Sequence, residues 1–239
     1  MRRILHHTGE AIHRYNLIDD KDKIMVGLSG GKDSWTLLDV LLQLKRKAPI
    51  DFEIIAVIID ANFGMDYSKA IEYLKENNIP YHVERTTINE IVKSNPPKNP
   101  CFMCSRLRRG VIYHLAKKLK CNKIALGHHL DDAMETLLLN IFYSSKLLGL
   151  KPKVYAEDKV NIVIRPLIHV READIIEYIK TKKFPIVPED CAFKYKVSKR
   201  VKMKNLLQDL SEENKFLYIS MKNIMDELYT IKKKRKIVL

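Results

Sequence analysis

Short apolar runs alternate with longer amphipathic stretches along most of the chain. Lys23–Leu28 (KIMVGL), Phe52–Ile59 (FEIIAVII), Tyr81–Glu84, Lys123–Leu126 (KIAL) and Asn161–Arg165 are brief, rich in β-branched residues, and read as strands. Between them apolar residues recur at helical spacing: Trp35, Leu37, Leu38, Leu41, Leu42 and Leu44, then Tyr67–Glu76, a long helix after Cys101, Asp132–Phe142 and Glu172–Lys180. Strands alternating with helices in this order predict an α/β protein with a doubly wound, mostly parallel sheet covered by helices on both faces. Residues 1–20 read as a short basic helix, and the chain from about Ser198 as helical and basic. Asn95–Pro100 and Ser144–Asp158 read as loops, because proline removes a backbone donor and restricts the residue before it. Phe184–Pro188 reads as a nonregular approach to Cys191. The expected organisation is an N-terminal helical segment (1–20), a central domain (21–192) and a basic helical extension (193–239).

Composition narrows the class of protein. A chain of 239 residues that is 46% hydrophobic is long enough for one well-buried core. Its longest apolar run, Ile54–Ile59, is far short of a membrane span, and the N-terminus lacks the apolar core of a signal peptide. A cytoplasmic protein with no membrane association is therefore expected. The formal charge is +14, and residues 190–239 carry 13 Lys and Arg against 6 Asp and Glu. Such a surplus suits a polyanion, since each cation near a phosphate backbone releases condensed counterions, but charge alone does not identify the polyanion.

Candidate chemistry begins at Ser29-Gly30-Gly31-Lys32-Asp33-Ser34, between a strand and a helix. Two glycines let the backbone approach an anion, amides at a helix start point at it, and Ser29 and Ser34 add hydroxyls. The string lacks the spacing of GxxxxGK[ST], which disfavours a Walker-type γ-phosphate transferase. Asp60 ends the second strand and Gly127-His128-His129-Leu130-Asp131-Asp132 follows another, so both should lie on the ligand-bearing carboxyl edge of the sheet. Asp60, Gly127 and His128 are candidate nucleotide contacts; of Asp131 and Asp132, one can cap the helix while the other faces ligand, and paired carboxylates beside phosphates suit Mg²⁺.

Cys101 and Cys104 form a CxxC at a helix start, followed by Arg106, Arg108 and Arg109. Helix-end dipoles and arginines stabilise thiolates, favouring metal ligation. Cys191 is the natural third ligand, and three thiolates leave one position open on a metal or cluster, as chemistry requires. Cys121 reads as a core residue, although a zinc site completed by it or by a histidine remains open. The three arginines cannot all face one side of a helix. Together with Arg165 at a strand end, they are candidate phosphate contacts.

The SGGKDS string resembles the loop of the N-type ATP pyrophosphatases, the PP-loop proteins of adenine nucleotide alpha hydrolase-like fold. Members activate a carbonyl oxygen with AMP and release pyrophosphate. More narrowly, VGLSGGKDSW (Val26–Trp35), PCFMCSRLRRG (Pro100–Gly110), KIALGHHLDD (Lys123–Asp132), LLLNIFY (Leu137–Tyr143) and IRPL (Ile164–Leu167) resemble the tRNA 2-thiocytidine synthetase family, TtcA. That resemblance covers about residues 1–192 and implies a tRNA sulfurtransferase. It would adenylate the C2 oxygen of cytidine 32 and replace it with sulfur at a [4Fe-4S] cluster on Cys101, Cys104 and Cys191, with ATP on Ser29–Ser34. It further implies catalytic roles at Asp131 and Asp132, tRNA contacts at Arg106, Arg108, Arg109 and Arg165, a sulfide or persulfide donor such as a cysteine desulfurase, and a homodimer. The chain departs from the family around Cys191, where it reads PEDCAFKY. Alternatives are a tRNA 2-thiouridine synthetase, a PP-loop ligase or amidotransferase with a structural metal, and a basic RNA-binding module without turnover.

Overall fold

The computed structural model describes residues 2–94, 100–156, 160–188 and 199–235. Six strands form one sheet: β1 (Lys23–Gly27), β2 (Glu53–Asp60), β3 (Tyr81–Arg85), β4 (Lys123–Ala125), β5 (Lys153–Tyr155) and β6 (Ile162–Ile164), in the order β3-β2-β1-β4-β6-β5. All neighbours are parallel except β5, which runs antiparallel on the edge beside β6. The doubly wound, mostly parallel expectation therefore holds. The order reverses at β1, with β2 on one side and β4 on the other, which opens a crevice at the carboxyl ends of those two strands.

The inner strands β1, β2, β4 and β6 read as largely apolar runs because both faces are covered. In β1, Ile24 and Val26 point into a core with α1 (Arg2–Tyr15), α2 (Lys32–Lys45), α3 (Ser68–Glu76) and α7 (Glu172–Lys180), whereas Met25 points the other way. That opposite core joins Met25, Val57, Ile124 and Val163 to Leu115 and Ala116 of α5 (Pro100–Lys118). Cys121 lies in this second core, where burial raises its thiol pKa, as its reading as a core residue required.

Two elements differ from the sequence expectation. The stretch read as a loop from Ser144 to Asp158 contains β5, which exists because β6 offers it an open edge. A short helix, α4 (Ile88–Ser94), precedes α5 and was not foreseen. The basic C-terminal segment is two helices, α8 (Lys199–Glu213) and α9 (Leu217–Arg235), and both fold back on α6 (Leu130–Ser144). Leu207 and Met225 enter a core with Ala133, Met134 and Leu137 of α6. A buried polar knot adds to this contact: Asp226 of α9 accepts from Tyr15 of α1 and lies 3.0 Å from His169. Among the described residues no helix is long and apolar enough to cross a membrane.

Candidate active site

The chain leaves β1 through buried Leu28 and turns at Ser29–Gly31 into α2, with Gly31 as N-cap. Gly30 holds φ at +88°, and a Cβ there would stand 2.8 Å from Val187 Cβ, so both the turn and the close approach require glycine. The turn is fastened by its own hydroxyls. Ser34 donates to the Gly31 carbonyl at 2.9 Å, Ser29 Oγ accepts the Gly31 N–H at 3.3 Å, and the two hydroxyls are 3.2 Å apart. The first N–H groups of a helix have no partner within it, which is the arrangement that holds phosphate. Lys32 Nζ sits between Asp33 at 2.8 Å and Glu172 at 3.0 Å. Burial works against its charge, but these two carboxylates outweigh it and raise the pKa.

A second turn meets the first. Gly127 leaves β4 so close to α2 that a Cβ would lie 3.0 Å from the Asp33 carbonyl. His129 then caps α6 in a capping box, its N–H donating to Asp132 at 3.1 Å. Burial disfavours the His129 imidazolium, yet Asp131, Asp132 and Asp33 together raise its pKa. Asp131 accepts the Glu172 N–H at 2.6 Å; its burial is outweighed by His129 and that bond, so its pKa is lowered. Asp132 also faces Arg200 of α8 at 3.4 Å, and Arg200 pairs with Glu135 at 2.6 Å. Asp131 and Asp132 both face His129, at 3.6 and 3.5 Å, while the Glu172 N–H and Arg200 are their separate further partners. Among the described residues, the group of three His, Cys, Asp or Glu donors within 4.8 Å of one another is His6, His7 and Glu10, away from this turn.

Between α5 and the sheet edge lies a cavity of about 780 Å³. Ser29 of the phosphate turn, Cys101 and Cys104 in the first turn of α5, Arg108, Arg109, His128 and Arg165 all line it. Cys104 also packs among Ala61, Ile88 and Val92, which fixes the start of α5 beside the end of β2. Three buried nitrogens on this wall, Arg108 Nε, His128 Nδ1 and Arg165 Nε, have no hydrogen-bond partner. Leaving such donors unsatisfied costs about 1–3 kcal/mol each, so together they fit an anion-bearing occupant. Burial and the neighbouring Arg165 push the His128 pKa down to about 4, which keeps it neutral near pH 7. Burial likewise lowers Arg165 to about 10. Arg165 donates to the Lys151 carbonyl at 2.6 Å, and among the described residues it forms no ion pair with a carboxylate.

Other sequence candidates fall elsewhere. Arg106 does not line this cavity; with Phe102 it lines an adjoining surface cavity that shares Ser105, Arg109 and Tyr113 with the large one. Asp60 ends β2, where its carboxylate accepts the Asn62 N–H at 2.9 Å, and it does not line the large cavity. Gly30, Gly31, Lys32, Asp33, Ser34, Gly127, Asp131 and Asp132 belong to the two turns and the helix starts that follow them, and do not line the cavity. Cys191 lies outside the described residues, but Val187, four residues before it, donates its N–H to the Gly30 carbonyl at 3.0 Å. Sequence reasoning missed Glu172, which joins Lys32 to Lys204 of α8 at 2.6 Å, and it missed Glu135 and Arg200. A carboxylate at the start of a predicted helix gave no sign of that long-range role.

A glycine turn at the topological switch of a parallel sheet, with a second strand end packed on it, defines a nucleotide-binding α/β protein. Its family is specific: the model of the PP-loop domain matches residues 4–206, and the chain belongs to that family. It is 48% identical over 211 residues to a tRNA-cytidine(32) 2-sulfurtransferase of Burkholderia orbicola (strain MC0-3), which covers 87% of this chain and 64% of that protein. The namesake in Paraburkholderia xenovorans (strain LB400) is 46% identical over 211 residues, with 87% and 63% covered. The chain therefore spans less than two thirds of these relatives' length. Among solved structures, the U34-tRNA thiolase NcsA from Methanococcus maripaludis with its [4Fe-4S] cluster superposes with a TM-score of 0.77 at 22% identity, over 96% of this chain and 79% of that one. The NH3-dependent NAD synthetase from Campylobacter jejuni superposes at 0.51 with 14% identity, over 95% and 93%. Both likenesses concern the fold.

Proposed function

We propose that this protein is an ATP-dependent tRNA sulfurtransferase that converts cytidine 32 to 2-thiocytidine. The observation that carries the reading is that Ser29, Cys101, Cys104, Arg108, His128 and Arg165 line one cavity. Relatives 46–48% identical bear the name of that activity.

In this reading the amides and hydroxyls of Ser29–Ser34 hold the ATP phosphates, and Lys32 turns from its carboxylate partners toward the departing pyrophosphate. The cytosine C2 oxygen attacks the α-phosphorus and the bond to pyrophosphate breaks. Sulfur then bonds to C2, and the C2–O bond breaks with AMP as leaving group, carrying the oxygen away. Fixed cations stabilise charge as it develops, because they are already in place and need not reorganise. Arg108 and Arg165 meet that need with their unpartnered nitrogens. His128, neutral near pH 7, can hydrogen-bond without adding a third positive charge.

The donor set suits a [4Fe-4S] cluster. Cys101 and Cys104 stand one helical turn apart at the cavity, and the chain toward Cys191 passes over the phosphate turn at Val187. When bound through three cysteines, a cluster supplies an open iron position for sulfide delivered by a donor such as a cysteine desulfurase. Mg²⁺ enters as the partner of ATP. A rearranged Asp132, half-buried and the more accessible of the adjacent pair, is its best candidate ligand.

The test is anaerobic reconstitution with iron and sulfide, followed by nucleoside mass spectrometry of tRNA incubated with MgATP and sulfide. 2-Thiocytidine at position 32 is expected, and it should vanish with Cys101→Ala, Cys104→Ala or Cys191→Ala. If no thiolated nucleoside forms and iron content is the same in all three variants, the reading is wrong.

A further inference from the structure

The large cavity has an apolar floor on the sheet, Ile124 and Leu126 at β4 and Val163 of β6, and cationic walls. One aromatic side chain breaks that pattern. Of the three aromatics that line it, Phe63, Tyr113 and Tyr155, only Tyr155 is exposed, at 65%. Tyr155 ends β5, the antiparallel edge strand, where its backbone is held opposite Ile162 of β6. It therefore stands on a strand across the cavity from α5, which carries Cys101, Cys104 and Arg108. Among the described residues, no hydrogen bond or ring contact ties down its ring or hydroxyl.

An exposed ring on a rigid strand at the lip of a cationic cavity has a use in nucleic-acid chemistry. An enzyme acting on a base must take it out of its stack, and an aromatic face replaces the stacking that is lost. A base stacks well on tyrosine whatever its identity, because every base has a π-face, and neighbouring arginines hold the flanking phosphates. The apolar floor suits a flat heterocycle, and the buried unpartnered nitrogens of Arg108, His128 and Arg165 suit its polar edge or an attached phosphate.

We infer that Tyr155 is a base-stacking residue: it receives a single unstacked pyrimidine of an RNA loop at the cavity lip and orients it toward the phosphate turn and the cysteine-bearing end of α5. This deepens the proposed tRNA thiolation, on which it rests. The partner is an RNA with an unpaired loop. Duplex RNA keeps its bases stacked and should gain nothing from Tyr155.

The test substitutes Tyr155 with Phe, Trp, Leu and Ala in the cluster-loaded protein, with melting temperature and far-ultraviolet circular dichroism as fold checks. Tyr155→Phe and Tyr155→Trp should keep KM for tRNA within about twofold of the parent. Tyr155→Leu and Tyr155→Ala should raise it roughly tenfold, the size expected of one lost base stack. Leu is the decisive variant, since it keeps apolar area and loses the π-face. Trp35 is the chain's single tryptophan and is 1% exposed, so a tryptophan at 155 gives a separable signal. Its fluorescence should be quenched by an anticodon stem-loop RNA and not by a duplex of equal length. If Tyr155→Leu matches Tyr155→Phe in KM, or the tryptophan signal does not distinguish loop from duplex, the inference falls. Failure of the parent reading looks different: the wild type then thiolates no tRNA, whatever the fluorescence reports.

Discussion

Gly30 holds a left-handed φ of +88° with Val187 Cβ where its own Cβ would be. Gly30→Ala should therefore lower stability by about 2–4 kcal/mol, from strain and overpacking together. Thermal denaturation measures the loss, and titration with MgATP should show weakened binding as the turn is displaced. His128 leads to a pH prediction. Its pKa falls from 6.5 to about 4 on folding, chiefly through burial, then through Arg165. Between those values the unfolded chain binds a proton that the native chain does not, so stability drops as pH falls through that window. His128 should contribute up to about 3 kcal/mol to that drop. Urea denaturation at pH 7 and pH 4.5 should show a smaller difference for His128→Gln than for the parent. Gly30 was legible because a glycine pair after a strand has few other uses. Glu172 was not, since its meaning comes from Lys32, Lys204 and Asp131, all distant in sequence.

Among the elements, β4 is anchored by an unusual side chain. Lys123 is 2% exposed, and its ammonium pairs with Asp19 at 2.8 Å and Asp22 at 3.0 Å while donating to the Leu17 carbonyl. Burial works against its charge, but the two aspartates outweigh that and raise its pKa. Lys123→Ala would leave Asp22, itself 4% exposed, as an uncompensated buried charge, at a cost of about 3–5 kcal/mol. In chemical denaturation, the double variant Lys123→Ala with Asp22→Asn should recover part of that loss. β1, β2, β4 and β6 were readable because burial makes a parallel strand largely apolar, whereas the edge strand β3 (YHVER) was readable from its short run between turns. β5 was not, because three residues after Pro152 carry no pattern and become a strand only where β6 leaves an edge unpaired. Its position matters, since it carries Tyr155 to the cavity.

At the scale of the whole molecule, the proposed tRNA substrate, a charge of +14 and a cavity lined by three arginines together predict salt-sensitive RNA binding. The plot of log affinity against log salt concentration should be steep and negative, and Arg108→Ala should reduce its slope by about one if Arg108 meets a phosphate. Filter binding from 50 to 200 mM salt would check this; an unchanged slope would separate Arg108 from phosphate recognition. Arg106→Ala serves as the contrast, because its side chain lies at another cavity.

The chain's own order of residues determined the strand–helix alternation, the SGGKDS turn and the CxxC, since each depends on neighbours within a few positions and on backbone preferences that act locally. Tertiary structure decided which of these share a space. The fold brings Cys101 and Cys104 to the cavity that Ser29 lines, places Arg108 there and Arg106 at an adjoining one, and gives the two adjacent aspartates one shared histidine and separate further partners. No spacing rule encodes those distances, because they arise from how helices pack on a twisted sheet.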